Sequence, residues 1–171
     1  MMRGRRAAVT ALAAAALSGG AAAAGAQAPP AGWRRPPMAA LAGPDLALRQ
    51  SAPDLNLKVS ADFDGDGDAD SAELLLARDG RTFALFASLA SPAGAVQVKL
   101  AEGPAEDLPR TGVSLAPPGV YATACGKGAG RACDAARLEL KLPAISLFTY
   151  ESGAVYFDWD GGAFARTWAA D

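Results

Sequence analysis

Residues Leu55–Leu76, LNLKVSADFDGDGDADSAELLL, join a strand pattern to a dense run of acids. Apolar and polar side chains alternate through the first nine residues, which is typical of a half-buried β-strand. Six carboxylates then fall within twelve residues. Because like charges this close repel one another, the spacing indicates a loop that gathers oxygen atoms around a cation. The six are Asp62, Asp64, Asp66, Asp68, Asp70 and Glu73.

The spacing of these acids fits a twelve-residue calcium loop. Counted from Asp62, acids occupy positions 1, 3, 5, 7, 9 and 12, and Gly67 occupies position 6, where the chain must bend sharply. Calcium binds about six to eight oxygen atoms. We expect side-chain oxygens from the first three aspartates, the backbone carbonyl of Asp68, and the remainder from Asp70 or Glu73. The sequence thus predicts one calcium ion bound by residues 62–73. A solvated acidic turn is the alternative, but it would not need the glycine in register.

Two scaffolds can hold such a loop. An EF-hand requires a helix on each side, and its last acid, here Glu73, would bind calcium through both oxygens. The segment that enters the loop alternates as a strand does. The segment that leaves it, SAELLLARDG, is compatible with a short helix or with a β-hairpin that turns at Asp79-Gly80. The sequence favours the strand-flanked loop and leaves the EF-hand open.

The nonapeptide DFDGDGDAD, residues 62–70, resembles the calcium loop of FG-GAP and VCBS repeats. The resemblance spans only Val59–Leu76. It implies a loop between strands in which Asp62, Asp64, Asp66 and Asp70 bind calcium. Glu73 and Ser71 depart from the pattern, because the family usually has apolar residues there. The loop occurs once, so a complete propeller is not expected.

The rest of the chain predicts a mainly β fold. Further alternating segments and a second hairpin signal, Asp160-Gly161-Gly162, indicate a single antiparallel β domain of about eight short strands over residues 55–171. Residues 27–54 are rich in proline and are predicted to form a leader, with one short helix around Asp45–Gln50. Glu151-Ser152 is interpreted as a bend between strands.

The first 26 residues have the pattern of an export signal. Arg3, Arg5 and Arg6 precede an alanine-rich apolar run, and Ala24–Ala26 fits a cleavage site before Gln27. A membrane anchor is the alternative. No later apolar run is long enough to span a bilayer, so we predict a periplasmic or secreted mature protein without a transmembrane segment. Without residues 1–26 the protein would have 13 of its 16 basic residues and all 18 of its acidic residues. This acidic balance disfavours nucleic acid as a partner.

Cys125 and Cys133 are the two cysteines of the chain. An exported protein meets an oxidising compartment, so we predict a disulfide between them. In the chain-entropy model, a loop this short would stabilise the fold by about 2–3 kcal/mol.

The composition narrows the function without defining it. The chain has no histidine, which excludes a histidine-containing triad and histidine-ligated zinc. The leading hypothesis is a non-enzymatic, calcium-binding exported domain with a structural role or with an envelope protein or glycan as its partner. A hydrolase that uses carboxylates is the second hypothesis, because Asp158 and Asp160 flank Trp159 and could act on a glycan. An EF-hand-like calcium sensor is the third.

Overall fold

The computed structural model describes residues 27–127 and 135–169. It confirms the mainly β class. The described residues form eleven strands in antiparallel sheets, more than the eight or so predicted. The predicted export signal and Cys133 lie outside the described residues, so cleavage and the disulfide stay predictions.

The first sheet, sheet A, has five strands. β3 lies at its centre and pairs with β4, which in turn pairs with β5. The opposite edge of β3 is shared, because β2 pairs with its first half and β1 with its end. The strands are β1 (Trp33–Arg34), β2 (Lys58–Ala61), β3 (Asp70–Ala77), β4 (Thr82–Leu89) and β5 (Val96–Pro104).

The second sheet, sheet B, has four strands in the order β11-β10-β9-β6, and β7 pairs with β8 in a small separate sheet. The strands are β6 (Thr111–Ala116), β7 (Gly119–Ala122), β8 (Arg137–Leu140), β9 (Ala144–Thr149), β10 (Gly153–Trp159) and β11 (Phe164–Trp168).

The helices are short. α1 (Leu46–Ser51) confirms the helix predicted around Asp45–Gln50. Three 3₁₀ helices cover Met38–Leu41, Ala105–Arg110 and Ala124–Lys127. None of the helices in the described part of the chain has both the length and the hydropathy needed to span a bilayer.

One hydrophobic core joins the two sheets. Alternate residues of β3 and β4, including Leu74 and Leu85, are fully buried against Ile145 and Phe157 of sheet B. Phe63 enters the same core from the acidic loop, and its side chain is also completely buried. The loop is therefore fixed to the core through a residue that lies between its first two acids.

Both predicted hairpin turns are confirmed. Asp79-Gly80 joins β3 to β4, and Gly80 has a φ of +74° that a β-branched or bulky residue would rarely adopt. The Asp160–Gly162 segment joins β10 to β11. Glu151 lies in the turn between β9 and β10, as the predicted bend requires, with a φ of +60°.

The proline-rich leader packs against the domain. β1 belongs to sheet A, and Leu41 is part of the shared core with 1% of its surface exposed. Arg49, on α1, is completely buried. Residues 27–54 thus contribute both to the sheet and to the interior.

Candidate metal site

The acidic loop connects two neighbouring antiparallel strands. β2 ends at Ala61 and β3 begins at Asp70, and these two residues are partners in the sheet register. The two ends of the loop formed by residues 62–69 therefore lie next to each other at the edge of sheet A. The flanking elements are strands on both sides, as predicted, whereas an EF-hand would have helices there.

Three of the predicted ligands converge. One carboxylate oxygen from each of Asp62, Asp64 and Asp70 lies within 4.8 Å of the other two. The first two side chains are partly exposed and Asp70 is buried, with 1% of its surface accessible. Solvent can therefore reach the group from the side of the loop but not from the side of the sheet.

Backbone amides of the loop fold it around its own carboxylates. Asp62 accepts hydrogen bonds from the amides of Gly65 at 2.7 Å and Gly67 at 3.0 Å. Gly67 has a φ of +92°, so the sharp bend predicted at this glycine is confirmed. Asp64 accepts a bond from the amide of Asp66 at 3.2 Å. These bonds orient two of the three converging side chains.

Asp70 is held from two distant parts of the chain. Its Oδ2 accepts a hydrogen bond from the amide of Phe63 at 2.8 Å, and its Oδ1 accepts one from the amide of Ala90 at 2.7 Å. Burial raises the pKa of Asp70 above its usual value, the two amides oppose the shift, and the charges of Asp64 and Asp66 add to it. A nearby cation would offset the cost of keeping this buried carboxylate ionised.

Asp66, Asp68 and Glu73 are not part of the converging group. Asp66 is exposed, and its Oδ1 accepts a hydrogen bond from the amide of Asp68 at 2.8 Å. Glu73 lies three residues after Asp70 on β3, so its side chain points to the opposite face of the sheet. There its Oε1 is 2.6 Å from Nε of Arg35.

Several residues that support the site were missed in the sequence. Ala90 follows β4 and contributes only a backbone amide, which no side-chain pattern could indicate. Leu142 lies next to Gly65, where an added Cβ would come within 3.2 Å of its Cδ1. This contact places the loop beside the segment that joins β8 to β9. Phe63 is an apolar residue of the alternating segment, but only the structure shows that its side chain lies in the core and that its amide donates to Asp70.

Asp158 and Asp160, the two acids that flank Trp159, lie in different environments. Asp158 lies on β10, and its Oδ1 is buried without a hydrogen-bond partner among the described residues. Burial raises its pKa above the usual value. Asp160 instead accepts hydrogen bonds from the amides of Gly162 at 3.0 Å and Ala163 at 2.9 Å. Its carboxylate therefore closes the hairpin turn, as the glycine-rich sequence suggested.

Comparison of the chain with protein-family models, with curated proteins and with solved structures gives no match. The resemblance of residues 62–70 to FG-GAP and VCBS loops stays a prediction.

Proposed function

We propose that this protein is an exported β domain in which one calcium ion stabilises the fold, with an envelope protein or a glycan as its partner. The observation that carries the proposal is the convergence of carboxylate oxygens from Asp62, Asp64 and Asp70 within 4.8 Å of one another, at a loop between two strands. Periplasmic or secreted localisation is supported by the arginine and alanine pattern of residues 1–26.

The donor set favours calcium over other divalent ions. All three converging groups are carboxylates, and hard oxygen donors suit calcium and magnesium better than zinc or copper, which prefer nitrogen or sulfur. Magnesium requires a nearly ideal octahedron and keeps several of its waters. A loop with additional aspartates at positions 66 and 68 better suits the larger and less regular calcium shell.

A structural role follows from what the loop is attached to. Asp70 bonds to Phe63, a core residue, and to Ala90 at the end of β4. An ion that neutralises these carboxylates would favour the folded connection between β2 and β3. Extracellular calcium modules bind with Kd values of about 10⁻⁴–10⁻³ M, and ten times the Kd would stabilise the fold by about 1.4 kcal/mol.

Calorimetry and thermal unfolding of residues 27–171 test the proposal. We expect one calcium ion to bind and to raise the melting temperature by several degrees, and chelator to reverse the rise. Asp62→Asn should remove both effects. Asp79→Asn is the matched control, because Asp79, like Asp62, accepts a hydrogen bond from a nearby backbone amide, that of Arg81 at 3.0 Å, but lies in an exposed turn outside the converging group. Absence of calcium binding at millimolar concentration would refute the proposal.

A carboxylate-dependent hydrolase is the alternative function. The observation that favours it is the buried Oδ1 of Asp158, which has no hydrogen-bond partner among the described residues. Burial raises the pKa of this carboxyl group, as suits a proton donor. Asp158→Asn separates the two proposals. It should abolish any glycan hydrolysis while leaving calcium binding unchanged.

A further inference from the structure

We propose that Gln27 is a modification site, at which the mature N-terminus closes to a pyroglutamate lactam. The inference rests on the export signal of the proposed function, since Gln27 becomes N-terminal only if cleavage follows Ala26. The lactam would block the end of an N-terminal strap, which we define as residues 27–35.

Residues 27–30 of the strap lie over the outer face of sheet A, whereas its residues Trp33–Arg34 are β1 and pair with β3. Nε2 of Gln97 on β5 donates a hydrogen bond of 3.2 Å to the carbonyl of Ala28. The ring of Trp33 packs edge-on against Phe86 of β4, with centroids 5.1 Å apart. The strap thus contacts both β4 and β5.

Only one of the two polar atoms of the Gln27 side-chain amide makes a hydrogen bond. The hydroxyl of Ser88 on β4 donates a hydrogen bond to Oε1 of Gln27. Nε2 of Gln27 makes no hydrogen bond within the described part of the chain. The side chain is exposed, so solvent or a cyclising enzyme can reach it.

Lactam formation retains the oxygen atom that makes this contact. The α-amine nitrogen of Gln27 attacks Cδ of its own side chain, and the new N–Cδ bond closes a five-membered ring. The Cδ–Nε2 bond breaks, and Nε2 leaves as ammonia with a proton from the amine. The step needs no oxidant, reductant or metal. Oε1 remains as the lactam oxygen, so the atom that accepts the Ser88 hydrogen bond is retained and only the unbonded nitrogen is lost.

The lactam would protect the strap from trimming. An aminopeptidase requires a free α-amine, and the lactam replaces that amine with a neutral amide. Loss of Gln27 would remove the contact with Ser88. Termini are the usual sites of proteolysis, and this one is exposed although two hydrogen bonds hold it, so blocking its α-amine keeps the outer face of sheet A covered.

Mass spectrometry of the exported protein, expressed from the full chain, tests the inference. We expect an N-terminal peptide that begins at residue 27, lacks the mass of one ammonia and resists Edman degradation. Gln27→Asn is the matched control. It should keep a free α-amine, because its shorter side chain would have to close a strained four-membered ring, and aminopeptidase should remove residue 27 from this variant but not from the wild type.

The outcomes separate this inference from the proposed function. A chain that begins at residue 27 with an intact, free glutamine would overturn the modification and leave export standing. Retention of residues 1–26 would overturn both. Removal of residue 27 from the wild type by aminopeptidase would overturn the protective role.

Discussion

Nε of Arg35 donates a 2.6 Å hydrogen bond to Oε1 of Glu73, and this contact joins the N-terminal strap to the strand that follows the acidic loop. Glu73 is the acid that an EF-hand would use as its bidentate ligand. In the structure its carboxylate faces away from Asp70 and is engaged by an arginine.

The first prediction is that Glu73→Gln leaves calcium affinity nearly unchanged and costs at most about 1 kcal/mol of stability, because the pair with Arg35 is partly exposed. Calorimetry and thermal unfolding check the two effects. Glu102→Gln is the control, since Glu102 forms a pair of the same length, 2.6 Å, with Lys99 on the same outer face. A loss of most of the calcium affinity in Glu73→Gln would show that Glu73 reaches the metal.

The second prediction concerns Asp70 in the absence of calcium. Asp70→Asn should lower the free energy of unfolding by at most about 1–3 kcal/mol, because the new amide group cannot accept bonds from both Phe63 and Ala90 and one N–H would lose its partner. Removal of the buried charge, whose cost is seen in the raised pKa of Asp70, offsets part of this loss. Urea unfolding in chelator measures the change. Asp62→Asn is the contrast, since Asp62 also accepts two amides but at positions that water can reach. Equal losses in the two variants would contradict the buried role of Asp70.

Much of the site could be predicted because strand periodicity and ligand spacing are local properties. The alternating residues before the loop predicted β2, and the Asp79-Gly80 turn predicted the hairpin of β3 and β4. The same two-residue period places Asp70 and Glu73 on opposite faces once β3 is recognised as a strand. The ambiguity over Glu73 arose only because the segment after the loop was also compatible with a helix.

The parts that were missed have physical reasons. β1 has two residues, too few to show a period. β6 and β9 are covered on both faces along much of their length, so their sequences lack the alternation that marks a half-buried strand. The contact of Asp45 with Tyr150 joins residues 105 positions apart, and only the tertiary fold brings them together.

The third prediction is a pH dependence that comes from Asp45. Its Oδ2 accepts hydrogen bonds from the hydroxyl of Tyr150 and, at 2.6 Å, from Nδ2 of Asn56. The Tyr150 bond is the largest cause that holds the pKa of Asp45 below 3.8, with Asn56 and Arg49 adding to it and burial opposing it. A carboxylate with a lowered folded-state pKa stabilises the protein above its unfolded pKa, and that stabilisation is lost as the pH falls through the folded value.

Tyr150→Phe should therefore lower the free energy of unfolding by about 1.5–3 kcal/mol at neutral pH, as expected for a bond to a charged group. The difference in the free energy of unfolding between Tyr150→Phe and the wild type should become smaller as the pH falls below 3.8. Urea unfolding at a series of pH values measures it. Tyr121→Phe is the control, because Tyr121 donates to the backbone carbonyl of Pro117 at 2.7 Å. The carbonyl does not titrate, so the effect of this substitution on the free energy of unfolding should be the same at neutral and acid pH. A Tyr150→Phe effect that stays constant with pH would refute the role of Asp45.

The fourth prediction compares two ion pairs of the same length in different surroundings. Nη2 of Arg49 lies 3.9 Å from Oδ2 of Asp45, and the arginine side chain is completely buried. Nη2 of Arg110 lies 3.9 Å from Oδ1 of Asp107, with 61% of the arginine side chain exposed. Removing Arg49 would leave Asp45 with hydrogen bonds from Tyr150 and Asn56 but without a counter-charge, and would empty a buried site, whereas water replaces the partner at the surface.

Arg49→Ala should lower the free energy of unfolding by about 3–5 kcal/mol, and Arg110→Ala by less than about 1 kcal/mol. Arg49 also donates to the backbone carbonyls of Leu55 and Thr111, both at 3.3 Å, so its loss should loosen the leader from β6 and from the turn that precedes β2. Urea unfolding followed by tryptophan fluorescence measures each variant. Combining Arg49→Met with Asp45→Asn should cost less than Arg49→Ala, because no unpaired charge is then buried and the apolar volume is largely kept. Similar losses for Arg49→Ala and Arg110→Ala would mean that the leader contributes little to the stability of the domain.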